Sequence, residues 1–212
     1  SLRRLRTDYV DVYQLHDIEY APREQIVGEA LPAMRRLQEQ GKVRSVGVTS
    51  YALHLLRDVA QQAHVDTILS YCRYNLMDTS LSAILAPLAA ERGIGLINAS
   101  PLHMGVLTAR GAPDWHPAPV RVREAGRRAA VWCQEHGVDI ADLAMQFALA
   151  YGGVATTLAG MSKVEHVDRN VGAASTPPDQ ELLAQVLWLV APHAGVEWQE
   201  GLPENFVPGA VP

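Results

Sequence analysis

The sequence is poor in cysteine, in phenylalanine and in basic charge, and each shortage removes a class of protein. It holds two cysteines, Cys72 and Cys133, with no C-x-x-C pair and no histidine at zinc-ligand spacing. A disulfide framework and a structural metal site are thereby disfavoured, and reduced thiols in a cytoplasmic protein fit. Lys plus Arg number 18 against 23 Asp plus Glu, a net charge of -5. Nucleic-acid partners call for a clustered basic surface, which this balance does not supply. No apolar run reaches the length of a membrane span. No G-x-G-x-x-G follows a strand pattern, and neither a Walker loop nor G-x-S-x-G occurs. No secretory leader is visible, although the chain opens on Ser1 instead of Met.

What is present is an ordinary globular composition: 212 residues, 48% hydrophobic and 19% charged. We expect a single domain over 1–212. Its organising stretch is Tyr9 to His16, YVDVYQLH, whose β-branched and aromatic residues predict a buried strand. Further strands are predicted at Val43 to Val48, Asp66 to Cys72, Ile94 to Ala99 and Val154 to Ala159. Helical periodicity is predicted for Arg23 to Gln40, kinked by Pro32 and stopped by Gly41. It recurs at Leu53 to Ala63, Thr79 to Arg92, Val120 to Glu135, Asp139 to Tyr151, Ser162 to Ala173 and Gln180 to Val190. Thr79 or Ser80, and Asp139, read as helix caps, and Ser162 with Glu165 matches a capping box. Trp132 and Trp188 fall on stripes expected to face the core.

Strands that alternate with helices define a parallel α/β sheet with right-handed crossovers. In a (β/α)₈ TIM barrel, chemistry sits where strands end, and His16 with Asp17 occupies such an end. Five units do not close an eight-stranded barrel. The opening SLRRLR reads as the last turns of a helix, so about three units are expected upstream. Two strand edges, Tyr9 to His16 and Val154 to Ala159, are expected to lie open unless an oligomer or an N-terminal segment covers them.

Several segments taken together resemble the aldo-keto reductase superfamily. SLRRLRTDYVDVYQLHD resembles its fourth-strand region, GKVRSVGVTS its fifth strand, SPLHMGVLT its seventh, and AGMSKVEHVDRN its eighth strand and following helix. ILSYCRYNLMD, INASPLHMGVLT, APDWHPA and WQEGLPEN look most like the branch of sugar 1-dehydrogenases acting on L-galactose, L-fucose or similar aldoses. The resemblance implies the last five βα units of a TIM barrel, a nicotinamide cofactor without a Rossmann domain, and a small-molecule aldose or aldehyde as substrate. It implies a catalytic tetrad of Asp, Tyr, Lys and His, of which this chain carries the His as His16. The other three belong to earlier strands, so the chain alone is expected to be inactive or very slow.

The same resemblance assigns the cofactor residues. Thr49 and Ser50 match the pair that faces the nicotinamide carboxamide, with Thr in the first place and no Asn. Tyr71 stands where the family has a Gln. Ala99 stands where many members have a stacking Tyr. Ser100, Leu102, Gly105 and Leu107 match the stretch that covers the pyrophosphate. Gly160, Ser162, His166 and Asn170 lie at the adenosine end. Gly160 and His166 replace the Lys and Arg that grip a 2′-phosphate in NADP-preferring members, which favours NAD, with NADP possible because Lys163 is near. Asp17, His103 and Trp198 are candidate substrate contacts; His103 reads equally as a solvated loop residue, and Trp115 and His116 as stacking or rim-sealing residues. The implied activity of the completed barrel is oxidation of an aldose at C1 to a lactone, or reduction of an aldehyde. The competing reading is a truncated, inactive member that binds nucleotide or a partner protein.

Overall fold

A computed structural model of the chain describes residues 1–206. Five strands form one parallel sheet in sequence order: β1 (Val10–Leu15), β2 (Val43–Ser50), β3 (Thr67–Tyr71), β4 (Gly95–Ala99) and β5 (Thr156–Leu158). The register pairs Leu15 with Val48, Ser50 with Ser70, Tyr71 with Ala99, and Ala99 with Leu158. All five strands therefore end at one rim, and the candidate residues follow those ends. The α/β architecture is that of an open portion of a (β/α)₈ barrel.

Two apolar clusters hold the layers together. One packs Ile26, Leu31, Met34, Leu53, Leu56 and Leu81 against β2, β3 and β4. The other gathers Tyr51, Cys72, Val106, Leu143, Val186 and Trp198 beneath the rim. The helix Val120–Glu135 reaches this second cluster through Gly126, where an added Cβ would lie 2.7 Å from the Val106 carbonyl oxygen and closer still to the Val106 side chain. Gly126→Ala is expected to cost about 1–3 kcal/mol by overpacking against that backbone, read as a lower urea midpoint.

Several local expectations change. The opening stretch is a strand, but it is not buried: Val12 is 47% exposed, and Tyr9 and Tyr13 are exposed with it, because β1 has a neighbour on one side only. β1 and β5 are the two open edges among the described residues. β2 runs two residues further than its apolar pattern, through Thr49 and Ser50. β5 is shorter than its pattern. Pro32 does not kink a plain α-helix. Its missing N–H is accommodated by a π-helical stretch, Ile26–Ala30, immediately before Leu31–Glu39. The span 80–92 is two short helices, Ser80–Ile84 and Ala86–Arg92. Neither Thr79 nor Ser80 caps the first through its side chain. Asp78 does, its Oδ1 accepting from Ser80 N at 2.8 Å. The Ser162 capping box does not form, since the helix Val164–Ser175 starts after Lys163 without a side-chain cap. Asp139 caps as expected, accepting from Ala141 N at 2.9 Å. Trp188 is not core: it is 73% exposed on Gln180–Val190, and the buried side of that helix is Leu183, Val186 and Val190.

Candidate active site at the strand ends

β1 and β2 are tied at the rim by a side chain. Asp17 takes up a left-handed backbone, φ 48°, and its N–H donates to Thr49 Oγ1 at 2.9 Å. That turn sets the His16 imidazole at the mouth of a hollow of about 560 Å³, with Nδ1 3.2 Å from Asp17 Oδ2. His16 is exposed there. Ser50 is buried, and its Oγ accepts from Ala52 N at 2.9 Å, opening the helix Leu53–Gln62. Each hydroxyl keeps its own proton to donate.

Behind this pair lies Glu19, fully buried. Its Oε1 accepts from Tyr51 N at 3.1 Å and from the Tyr71 hydroxyl at 3.4 Å, while Oε2 has no partner. Burial, and then the carboxylates of Glu19, Glu200 and Asp17, hold the Tyr71 phenol well above its ordinary range, so it stays a neutral donor. Tyr20, which donates to Glu200 Oε2 at 2.7 Å, is likewise pushed up to about 12, chiefly by that hydrogen bond.

The loop after β4 concentrates backbone strain. Ser100, His103 and Met104 are all left-handed, at φ 56°, 49° and 51°, and Gly105 follows at φ 102°. Non-glycine residues rarely hold such angles without a surrounding structure that fixes them. Leu107 is fully buried, and its N–H donates to the Leu102 carbonyl at 3.1 Å. His103 is also buried, at 2% exposure, which removes the reading of a solvated loop histidine. His116 explains its fixed position. Ala118 N donates to His116 Nδ1, so Nε2 bears the proton and donates to the His103 carbonyl at 3.1 Å. Trp115 is exposed, while His116 is buried at the rim.

At the far end of the rim, a cleft of about 300 Å³ brings together Leu102, Gly160, His166 and Asn170. Among the other residues of its wall, none with an expected site role, are the charged Arg110, Asp139, Asp142 and Arg169. Arg169 is held by Asp139 at 2.6 Å and by Asp142 at 2.7 and 3.0 Å. Ser162 is exposed. The expected site residues thus divide between this cleft, the His16 hollow and the rim between them. Sequence patterning missed Glu19, Arg73, Glu197 and Arg169. A charged residue directly after an apolar strand, as in YCR, is a signal that marks Arg73.

The segment 195–206 crosses the rim. Its ends are pinned by the backbone, Gly195 N to Met77 O and Leu202 N to Glu19 O, both at 2.8 Å. Between them Glu197 pairs with the buried Arg73, and Trp198 stacks on Tyr51 with ring centroids 4.4 Å apart. Among the described residues no group of three His, Cys, Asp or Glu side chains is arranged to hold a metal ion. No helix of the described residues is long and apolar enough to cross a membrane.

A parallel sheet with its polar residues at the strand ends is the arrangement of barrel-type α/β enzymes. The particular family follows from comparison: residues 1–187 match the model of the Aldo/keto reductase family, and the chain belongs to it. It is 40% identical over 212 residues to the L-galactose dehydrogenase of Arabidopsis thaliana, covering 97% of this chain and 66% of that protein. It is 28% identical to the D-arabinose 1-dehydrogenase of Saccharomyces cerevisiae, covering 96% of this chain and 66% of the relative. The chain therefore spans just under two thirds of these relatives. Its fold superimposes on an aldo-keto reductase from Bacillus halodurans in its holo form with TM-score 0.71 and 25% identity, covering 94% of this chain and 63% of the other.

Proposed function

We propose that this chain forms the His16-bearing, cofactor-holding part of an NAD-dependent aldose dehydrogenase that oxidises a sugar at C1 to the lactone. The observation that carries this reading is the cleft in which Leu102, Gly160, His166 and Asn170 meet. These residues are separated by up to 68 positions in the sequence, from 102 to 170, yet line one hollow of the size and polarity that the adenosine end of a dinucleotide needs. The residues fit the group: Asn170 offers both a donor and an acceptor to adenine. The Thr49 hydroxyl keeps a proton to donate to the carboxamide, and the neutral Tyr71 lies beside it. The cofactor, when bound, takes the hydride from the sugar's anomeric carbon.

The chain's own part is to orient the oxygen on that carbon. The exposed His16 imidazole, its Nδ1 3.2 Å from Asp17 Oδ2, offers Nε2 as a hydrogen-bonding partner for the sugar hydroxyl. NAD is favoured over NADP because Gly160 supplies no charge, Lys163 pairs with Glu165 and Arg169 is already held by two carboxylates; Arg110, in the same cleft, is the cation that would favour NADP. The substrate class follows the aldose-oxidising relatives named above. The Asp, Tyr and Lys that complete the family tetrad are not in this sequence, so turnover is expected only where they are supplied.

A thermal melt with and without NAD, repeated with NADP, tests the cofactor reading. A ligand at about a hundred times its Kd stabilises the folded state by about 2.7 kcal/mol. We expect an upward shift with NAD that exceeds the shift with NADP. A melt indifferent to both would favour the competing reading, a family member retained for protein contacts alone.

A further inference from the structure

His103 is a group that the fold buries and then leaves without a partner. Both ring nitrogens lack a hydrogen bond, at a residue exposure of 2%. Such atoms ordinarily find partners, and each one left bare costs about 1–3 kcal/mol. Three further observations place this imidazole for a ligand. It stands on the left-handed turn that follows β4, at the rim where all five strands end. Its backbone is pinned by His116, so the ring is held in one place. On one side Trp198 covers it, meeting the His103 ring edge-on with centroids 5.5 Å apart, while the His116 ring stacks on it at 5.9 Å.

The roof can be lifted without unfolding its support. The segment carrying Trp198 keeps its end anchors at Gly195 and Leu202, and also at Asn205, which donates to the carbonyls of Glu19 and Ala21. Between the anchors it is held by Glu197 to Arg73, by Glu200 to Tyr20 and by the indole itself, which donates to Glu200 within the segment and packs on Tyr51 and His116.

We propose that His103 is a specificity residue that hydrogen-bonds a hydroxyl of the sugar once Trp198 moves aside, with the indole and Tyr51 then flanking the sugar's apolar face. This rests on the aldose reading above. A neutral imidazole carries one donor and one acceptor on diverging sides of its ring, so one hydroxyl satisfies one nitrogen and a polyol can satisfy both with two hydroxyls. Burial, reinforced by His116 and Arg73, lowers the His103 pKa to about 3, which keeps the ring in that neutral form. A carboxylate or phosphate ligand needs a cation or two donors instead, so a neutral polyol is the class that fits.

The test uses L-galactose as the probe on the full 212-residue chain, read by thermal shift and by tryptophan emission, with the NAD shift measured in parallel. His103→Phe keeps the ring and removes both nitrogens. His103→Asn keeps polar atoms and suits the left-handed backbone. We expect the sugar to shift the melt and to red-shift the emission, since Trp198 is the buried indole among the four. We expect about tenfold weaker sugar binding in His103→Phe, less loss in His103→Asn, and an unchanged NAD shift in both. Equal sugar binding by parent and His103→Phe overturns the proposal, as does a parent that binds NAD but no sugar. A parent that binds neither fails at the cofactor reading first. If His103→Phe does not fold, the parent's emission shift and His103→Asn decide.

Discussion

Replacing Arg73 with methionine is expected to remove about 3–5 kcal/mol of stability, the range for taking one partner from a buried ion pair. Arg73 has no solvent exposure. Its Nη1 lies 3.1 Å from Asp78 Oδ2 and 3.3 Å from the Tyr51 hydroxyl, and its Nη2 pairs with Glu197. The guanidinium also sits over the Tyr51 ring, 4.9 Å from its centroid. Methionine fills comparable space but leaves two carboxylates with no counter-charge. Burial already pushes the Asp78 carboxyl above its ordinary range, and Arg73 opposes that push. Without Arg73 the carboxyl is pushed further toward its protonated form or the rim loosens. The loss also reaches the crossing segment, since Glu197 is one of its inner holds. Urea unfolding at neutral pH measures the effect. Arg73→Lys, which keeps the charge and loses the planar fork, should fall between parent and Arg73→Met. Combining Arg73→Met with Asp78→Asn and Glu197→Gln should recover part of the loss. A triple variant no better than Arg73→Met would mean that packing, not uncompensated charge, sets the cost.

Elements with long, clean patterns were legible from the sequence. Val120–Glu135 and Gln180–Val190 have the bounds that their apolar stripes and caps predict. Gly93, at φ 66°, ends Ala86–Arg92 because glycine alone takes that angle without strain. What was not legible depends on neighbours distant in sequence. YVDVYQLH has the composition of a buried strand, and its exposure follows from its place at the end of the sheet, which composition does not encode. Trp188 shares a helix with three core residues, but a turn of helix has more than one apolar-looking side, and only packing selects among them. Ser162 satisfies a local capping rule that the actual helix start, two residues later, does not use.

The site divides the same way. His16 was marked as an expected site residue by its place at a strand end, and Gly160 and Asn170 only by the resemblance of AGMSKVEHVDRN to the family. Arg73 and Glu197 are 124 positions apart, and no local pattern pairs them. Glu19 is one residue in a short 3₁₀ turn, Ile18–Tyr20, and is buried between Tyr51, Tyr71 and the crossing segment. Leu202 N and Asn205 both bond its carbonyl. Apart from Arg169, which Asp139 and Asp142 hold, the contacts that pattern reading misses are those made by the C-terminal crossing, the same element that covers His103.

That roof makes acid the condition in which the fold should weaken most. In the folded chain His103 takes a proton only near pH 3, because burial, then His116 and Arg73, oppose the charge. In the unfolded chain the same imidazole titrates near its ordinary value of about 6.5. Between those values the unfolded state binds more protons, so stability falls as pH falls, by about 1.4 kcal/mol per pH unit where the difference is a full proton. His116, also lowered by burial, acts in the same direction. Asp66 adds a later loss: Val46 N and Arg35 hold its carboxyl below the usual range despite partial burial. Its contribution disappears only as pH drops through that lowered value. Above pH 7 none of these groups changes charge; there burial holds the Cys72 and Cys133 thiols up at about 12 and about 11, so stability falls again only as pH rises past the ordinary thiol value of about 8.5. Urea unfolding from pH 7 down to 4.5 reads the slope. His103→Phe, which has no proton to bind, should be flatter than the parent by about one proton's slope over this interval. Parallel curves for parent and variant would show that water or another group already reaches the ring. The roof over His103 would then be open in the resting protein.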